Sequence, residues 1–191
     1  MASFIPDRVF NFAILREYVK NEGLIRHALA VEAVMRYFAE IFSEKEVDKW
    51  GAIGLLHDID YERYADKHCL MVREILSSRG FPEDYIRAIE SHGYKIVNEI
   101  EPVHKMEKAL YAIDELTGLI AAVVVLRPGK SVMDLSVNSV KKKWKQKGFA
   151  SGVNRSVIEE GAAMLGMELD MLIEHTIKGM QSAAKEIGLK G

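Results

Sequence analysis

Four side chains in this sequence are of types, and in an order, that could do metal chemistry: His27, the adjacent pair His57 and Asp58, and Asp114. Imidazoles and carboxylates ligate divalent cations. Two more histidines fall between the pair and the distal aspartate, so the chain reads His27, His57-Asp58, His68, His92, Asp114. Nitrogen and oxygen donors without thiolate suit Mn, Fe, Co, Ni or Zn, with Mg admissible where a substrate brings phosphates. One or two such ions per chain are expected, and the chemistry they support is hydrolysis by activated water. Taken singly, each residue has an ordinary reading. A lone histidine is usually a surface or satisfied core group, and Asp114 could be a buried carboxylate paired with a base. Order, helical placement and apolar setting together point to a metal. His104 and His175 are read as structural residues, and Cys69 as a small buried side chain.

The elements that must position these groups are helical. Apolar residues recur at helical spacing almost throughout, and no segment shows convincing strand alternation. The fold class expected is all-α: a helical bundle with a C-terminal helical extension. A long helix over about 24–42 carries His27. Ser43 reads as the N-cap of a third helix over about 44–56, with Glu46 as its capping-box partner. That helix ends on His57 and Asp58. Adjacent residues on a regular helix point about 100° apart, so one ion uses both more easily where the helix stops. A fourth helix is expected over about 67–78, opened by His68 and stopped at Gly80. A short fifth runs from Pro82 to near His92. The sixth, over about 105–125, holds Asp114 among apolar residues, where a carboxylate is costly to bury without a partner. Further helices begin near Ser136, Asn154 and Glu168. The loop around 127–131 divides an expected core, 1–126, from an extension, 127–191, packed on it.

Composition narrows the class of function. The chain has 191 residues, is 49% hydrophobic and carries a formal net charge of −2. That lacks the basic stripe of a dedicated nucleic-acid binder, so no nucleic-acid partner is expected. One cysteine permits no internal disulfide and suits a reducing cytoplasm. The first eight residues show no basic stretch leading into an apolar run, so no signal peptide is expected. The longest apolar stretch, Leu119 to Leu126, is far short of the ~20 residues that cross a bilayer. A cytoplasmic protein without a membrane partner is expected, and the Met- and Ala-rich last helix suggests a homodimer face.

His27, the run Leu55-Leu56-His57-Asp58-Ile59 and the distal Asp114 resemble the H…HD…D signature of the HD-domain superfamily of metal-dependent phosphohydrolases. The resemblance spans about 24–126. It implies an α-helical core and cleavage of phosphate esters or anhydrides, with a small phosphorylated compound, a nucleotide, as substrate. It also implies that His27, His57, Asp58 and Asp114 hold a first metal. Some members carry two extra histidines for a second metal bridged by the HD aspartate. His68 and His92 occupy such positions, although the interval from Asp58 to His68 is shorter than in those members.

Arg26 and Lys67 flank proposed ligands and are candidates for holding phosphate beside the catalytic Asp58. Asp60 and Glu62 could orient ligands or be plain loop residues. The lysine-rich segment 141–147 reads as a solvated helix face. Three other functions share these features: a di-iron oxygenase on the same fold, a silent metal- or nucleotide-binding module, and a helical interaction protein.

Overall fold

The structure, a computed structural model, describes residues 6–191. Residues 1–5, which include most of the segment read above as lacking a leader, lie outside the described residues. Nine α-helices follow one another among them, with no strand: α1 (Arg8–Tyr18), α2 (Glu22–Ile41), α3 (Val47–Leu56), α4 (Val72–Ser77), α5 (Glu83–Glu90), α6 (Lys105–Val125), α7 (Val137–Trp144), α8 (Arg155–Leu165) and α9 (Leu169–Ser182). Two single 3-10 turns, Ala65–Lys67 and Ser91–Gly93, precede His68 and contain His92. None of the described helices is long and apolar enough to cross a membrane.

The two long helices, α2 and α6, form the spine of the core. The side chain of Asn21 caps α2 by accepting from the N–H groups of Gly23 and Leu24 at 2.7 and 3.3 Å. The helix then buries Ile25, Val31, Val34, Met35 and Phe38. His104 caps α6 through its Nδ1, which accepts from the Met106 N–H, while Glu107 returns to the His104 N–H. This reciprocal pairing satisfies two of the helix's free donors, so α6 begins where the sequence places it. α3 packs on α2 at very short range. A Cβ at Gly54 would lie 2.9 Å from both Met35 Cγ and the Val31 carbonyl oxygen. Only glycine permits that approach, and it brings the end of α3, with His57, up to the His27 turn of α2.

Beyond residue 126 the chain returns to the same spine. α8 lies on α6, where a Cβ at Gly161 would meet the Ala112 Cα at 2.5 Å. α9 lies on α2 and buries Leu172, Ile173, Ile177 and Met180. The apolar face of this last helix therefore packs within the chain. Lys141 of α7 pairs with Asp170.

Two local expectations are corrected. Ser43 does not cap α3, whose N-cap is Glu46 without a side-chain bond. It instead closes α2. At φ 57° it takes the left-handed position usual for glycine, with its N–H on the Glu40 carbonyl and the Glu44 N–H on that of Ala39. Those two bonds satisfy carbonyls that the helix end leaves free. The fourth helix begins at Val72, not near Lys67, because the 3-10 turn and a left-handed Cys69, φ 63°, interrupt any regular path. His68 accordingly sits in irregular chain.

Candidate metal centre

Five elements deliver the donor groups to one place. His27 comes from the second turn of α2, His57 from the C-cap of α3 and Asp58 from the turn after it. His68 follows the first 3-10 turn, His92 lies in the second, and Asp114 is mid-way along α6. The shift from helix to turn at His57 lets neighbouring side chains converge. His57 Nε2 lies 3.3 Å from Asp58 Oδ2 and 3.3 Å from Asp114 Oδ1. His27 Nε2 completes this group, 2.9 Å from Asp114 Oδ1 and 3.2 Å from His57 Nε2.

A second group forms on the other oxygen of Asp58. Oδ1 is 3.4 Å from His68 Nε2 and 3.6 Å from His92 Nε2, and those two nitrogens are 3.3 Å apart. One carboxylate thus turns one oxygen to each of two imidazole pairs.

The far side of each ring fixes which nitrogen faces inward. His57 Nδ1 donates to the Gly54 carbonyl at 2.8 Å, and His92 Nδ1 donates to that of Ile89. His68 Nδ1 donates to Asp60 Oδ1 at 2.9 Å. His27 Nδ1 is 3.4 Å from Thr117 Oγ1, whose own hydrogen goes to the Asp114 carbonyl. With Nδ1 committed to acceptors, the neutral rings present Nε2 lone pairs to the centre, the form in which imidazole ligates metals.

The separations fit cations. Donors about 2.0–2.1 Å from a tetrahedral ion are about 3.3–3.4 Å from one another. Most of the inward distances fall close to that value. Electrostatics agrees. Burial pulls the His57 pKa down, but Asp58 and Asp114 outweigh it and hold it up at about 10. Burial likewise opposes charge on His68, which hydrogen bonds to Asp60 and Cys69, aided by the charge of Asp58, raise to about 9. Burial works to raise the carboxyls of Asp58 and Asp114, yet His57 holds both below the usual carboxylate range. The protein atoms alone make a place that favours positive charge.

A cavity of ≈ 320 Å³ opens onto the centre, with His27, Asp58, His68, His92 and Asp114 in its wall. His57 lies fully buried behind them. Tyr61, packed edge-on against His68, and Tyr111 line the cavity, as does Glu115, whose pKa burial raises. α8 and the loop before it contribute Val157 and Gly152, so residues after 126 form part of the wall.

A family model for the HD domain matches residues 24–120, about half of the chain. The chain belongs to the HD-domain family. Searches of curated proteins and of solved structures return no match. The matched span of the HD domain holds all six proposed ligands. Membership places the chain in a superfamily of metal-dependent hydrolases, and its His/Asp groups could hold divalent metal.

Of the other sequence candidates, Asp60 bonds a proposed ligand of the HD centre, while Arg26, Lys67, Glu62 and His175 have other surroundings. Arg26 lines another cavity of ≈ 590 Å³, which His27 also borders, and its Nε donates to the Glu22 carbonyl. Lys67 is exposed at the end of the 3-10 turn, and neither residue lines the cavity at the HD centre. Asp60 is fully buried and orients His68. Glu62 instead accepts the N–H groups of Lys20 and Asn21 ahead of α2. His175 packs on Tyr37 and Phe38, away from the centre.

Cys69 was missed. It is buried, as the sequence suggested, but its sulfur lies 3.4 Å from Nε2 of both His68 and His92. Thr117 was missed too. Its spacing of three from Asp114 on one helix was the available signal.

Proposed function

We propose that this protein is a phosphohydrolase that uses two divalent cations to cleave a small phosphate ester. One observation carries the reading: Asp58 divides its oxygens between two pairs of inward-facing imidazole nitrogens. That is the arrangement a bridging carboxylate needs. His27, His57, Asp58 and Asp114 would hold one cation, and Asp58, His68 and His92 the other. Bound divalent cations supply a Lewis acid for the phosphoryl oxygens and a nucleophile drawn from water at neutral pH. The chain's own part is to hold the donors in place, through the Gly54, Ile89, Asp60 and Thr117 bonds to the rings, and to shape a partly closed cavity.

The cavity also bears on substrate. No lysine or arginine is among the described residues lining it. The cations would be the main counter-charge, which suits one phosphoryl group better than a triphosphate chain. Tyr61, Tyr111, Leu24, Ile96, Val97 and Val157 offer a partly apolar wall for the rest of the molecule. At ≈ 320 Å³ the space sits near the low end of small-molecule sites, about 300–1,000 Å³. A nucleoside monophosphate is the substrate class that combines one phosphoryl group with a flat, stackable body. The positions of Arg26 and Lys67 give them no phosphate-binding part in this reading.

Elemental analysis of protein purified without chelator, together with phosphate release from nucleoside mono-, di- and triphosphates, tests the reading. Wild type is expected to hold about two metals per chain and to release phosphate from the monophosphate. Asp58→Ala is expected to lose metal and activity together. Full activity in that variant, no metal uptake by wild type, or turnover that requires dioxygen would each overturn it.

A further inference from the structure

We propose that Cys69 is a ligand of the second cation, so that this site combines two imidazoles, one oxygen of Asp58 and a thiolate. The inference rests on the two-cation reading above and adds a ligand to it.

The geometry is that of a donor set. Cys69 Sγ is 3.4 Å from His68 Nε2 and 3.4 Å from His92 Nε2, and the two nitrogens are 3.3 Å apart. Nitrogens at about 2.0–2.1 Å and a sulfur at about 2.3 Å from one tetrahedral ion stand about 3.5 Å apart, with the nitrogens about 3.3 Å from each other. One thiol hydrogen cannot serve both nitrogens at once, whereas one cation satisfies all three atoms. The surroundings leave room for the sulfur. A Cβ at Gly93, next to His92, would lie 2.9 Å from Cys69 Sγ, so the absence of a side chain there opens the space it fills. The sulfur is buried between the two rings that the Ile89 carbonyl and Asp60 already aim inward.

Binding would release the S–H proton to solvent, leaving a thiolate on the cation and both imidazoles neutral. The two sites would then differ in kind. His27, His57, Asp58 and Asp114 offer only nitrogen and oxygen, while a thiolate selects softer ions. Zinc, iron or cobalt would fill the second site in preference to magnesium or manganese.

Cobalt is the probe, because a thiolate on Co(II) gives a near-ultraviolet charge-transfer band that nitrogen and oxygen ligands do not. Cys69 is the only cysteine in the chain, so such a band can have only one source. The full chain is stripped with chelator, reloaded with Co(II) and examined for metal content and absorption, beside Cys69→Ser. The expected result is a charge-transfer band in wild type that vanishes in Cys69→Ser, with second-site affinity weakened about tenfold or more. Cobalt bound without the band, or a band that survives in Cys69→Ser, overturns the ligand and leaves the two-cation centre standing. No cobalt bound at all overturns both. Should Cys69→Ser fail to accumulate, the wild-type spectrum alone decides.

Discussion

Asp60→Asn separates the two proposed cation sites by a change that keeps the shape of the side chain. Asp60 is fully buried, with Oδ1 2.9 Å from His68 Nδ1 and Oδ2 accepting the Met71 N–H at 3.2 Å. Both partners are donors, and a carboxylate accepts from both. An asparagine offers one acceptor oxygen and one NH2 group, so one partner must face a donor. If the NH2 faces Met71, that part-buried N–H loses its acceptor, at a cost of up to about 3 kcal/mol. If it faces His68, the ring proton moves to Nε2 and occupies the lone pair that a cation needs. The loss of a ring-orienting partner typically weakens metal affinity about 10–100-fold, or about 1.4–2.7 kcal/mol. That loss should fall on the His68–His92 site, because the bonds of Asp60 go to His68 and Met71. Competition between the protein and a chromogenic chelator for Co(II) would show one weakened and one unchanged step, and urea unfolding of the metal-free protein would report the stability cost. An unchanged second step, or equal weakening of both, would refute the argument that Asp60 sets the His68 tautomer.

Two predictions concern the scaffold around the centre. Gly161→Ala would drive a methyl group into the Ala112 backbone of α6, which neither helix can avoid without moving. It should destabilise the protein by about 1–3 kcal/mol; a urea midpoint equal to wild type would show that α8 is not seated on α6 in this way. Glu107 is buried at the start of α6, and its pKa is lowered: burial alone would raise it, but Arg87 and the N–H groups of Val103 and His104 outweigh burial. A carboxyl held low contributes stability that is fully present above its unfolded value, about 4.3, and is lost as pH falls through the folded value. Glu107→Gln should therefore cost about 1–3 kcal/mol at pH 7, and its deficit against wild type should shrink as pH drops below about 4.3. A deficit that stays constant from pH 7 to pH 3 would contradict the charge assignment.

Local pattern settled much of this protein. The 3.6-residue recurrence of apolar positions marked the helical class, and α6 spans the stretch, about 105–125, where that recurrence runs. The end of α3 at His57 was legible for the same reason. The order of His27, His57-Asp58, His68, His92 and Asp114 named a donor set before any contact was known. Reading failed where the chain stops being periodic. Between Asp58 and Met71 no regular repeat exists, so the late start of α4 and the inward turn of Cys69 had no signal in the sequence. Ser43 looked like a helix start because the same small polar residue can sit at a helix end when its backbone turns left-handed.

Only the tertiary structure decided how the donors are shared. That Asp58 faces His27 and His57 with one oxygen and His68 and His92 with the other depends on α2, α3 and α6 meeting at distances set by Gly54 and its neighbours. The same packing put Arg26 in the wall of a different cavity and brought α8 into the wall of the one at the centre. Residue types and helix periods are local properties and can be read along the chain. Which lone pairs converge is a property of close packing between segments far apart in sequence, and a shift of an ångström in that packing changes the answer.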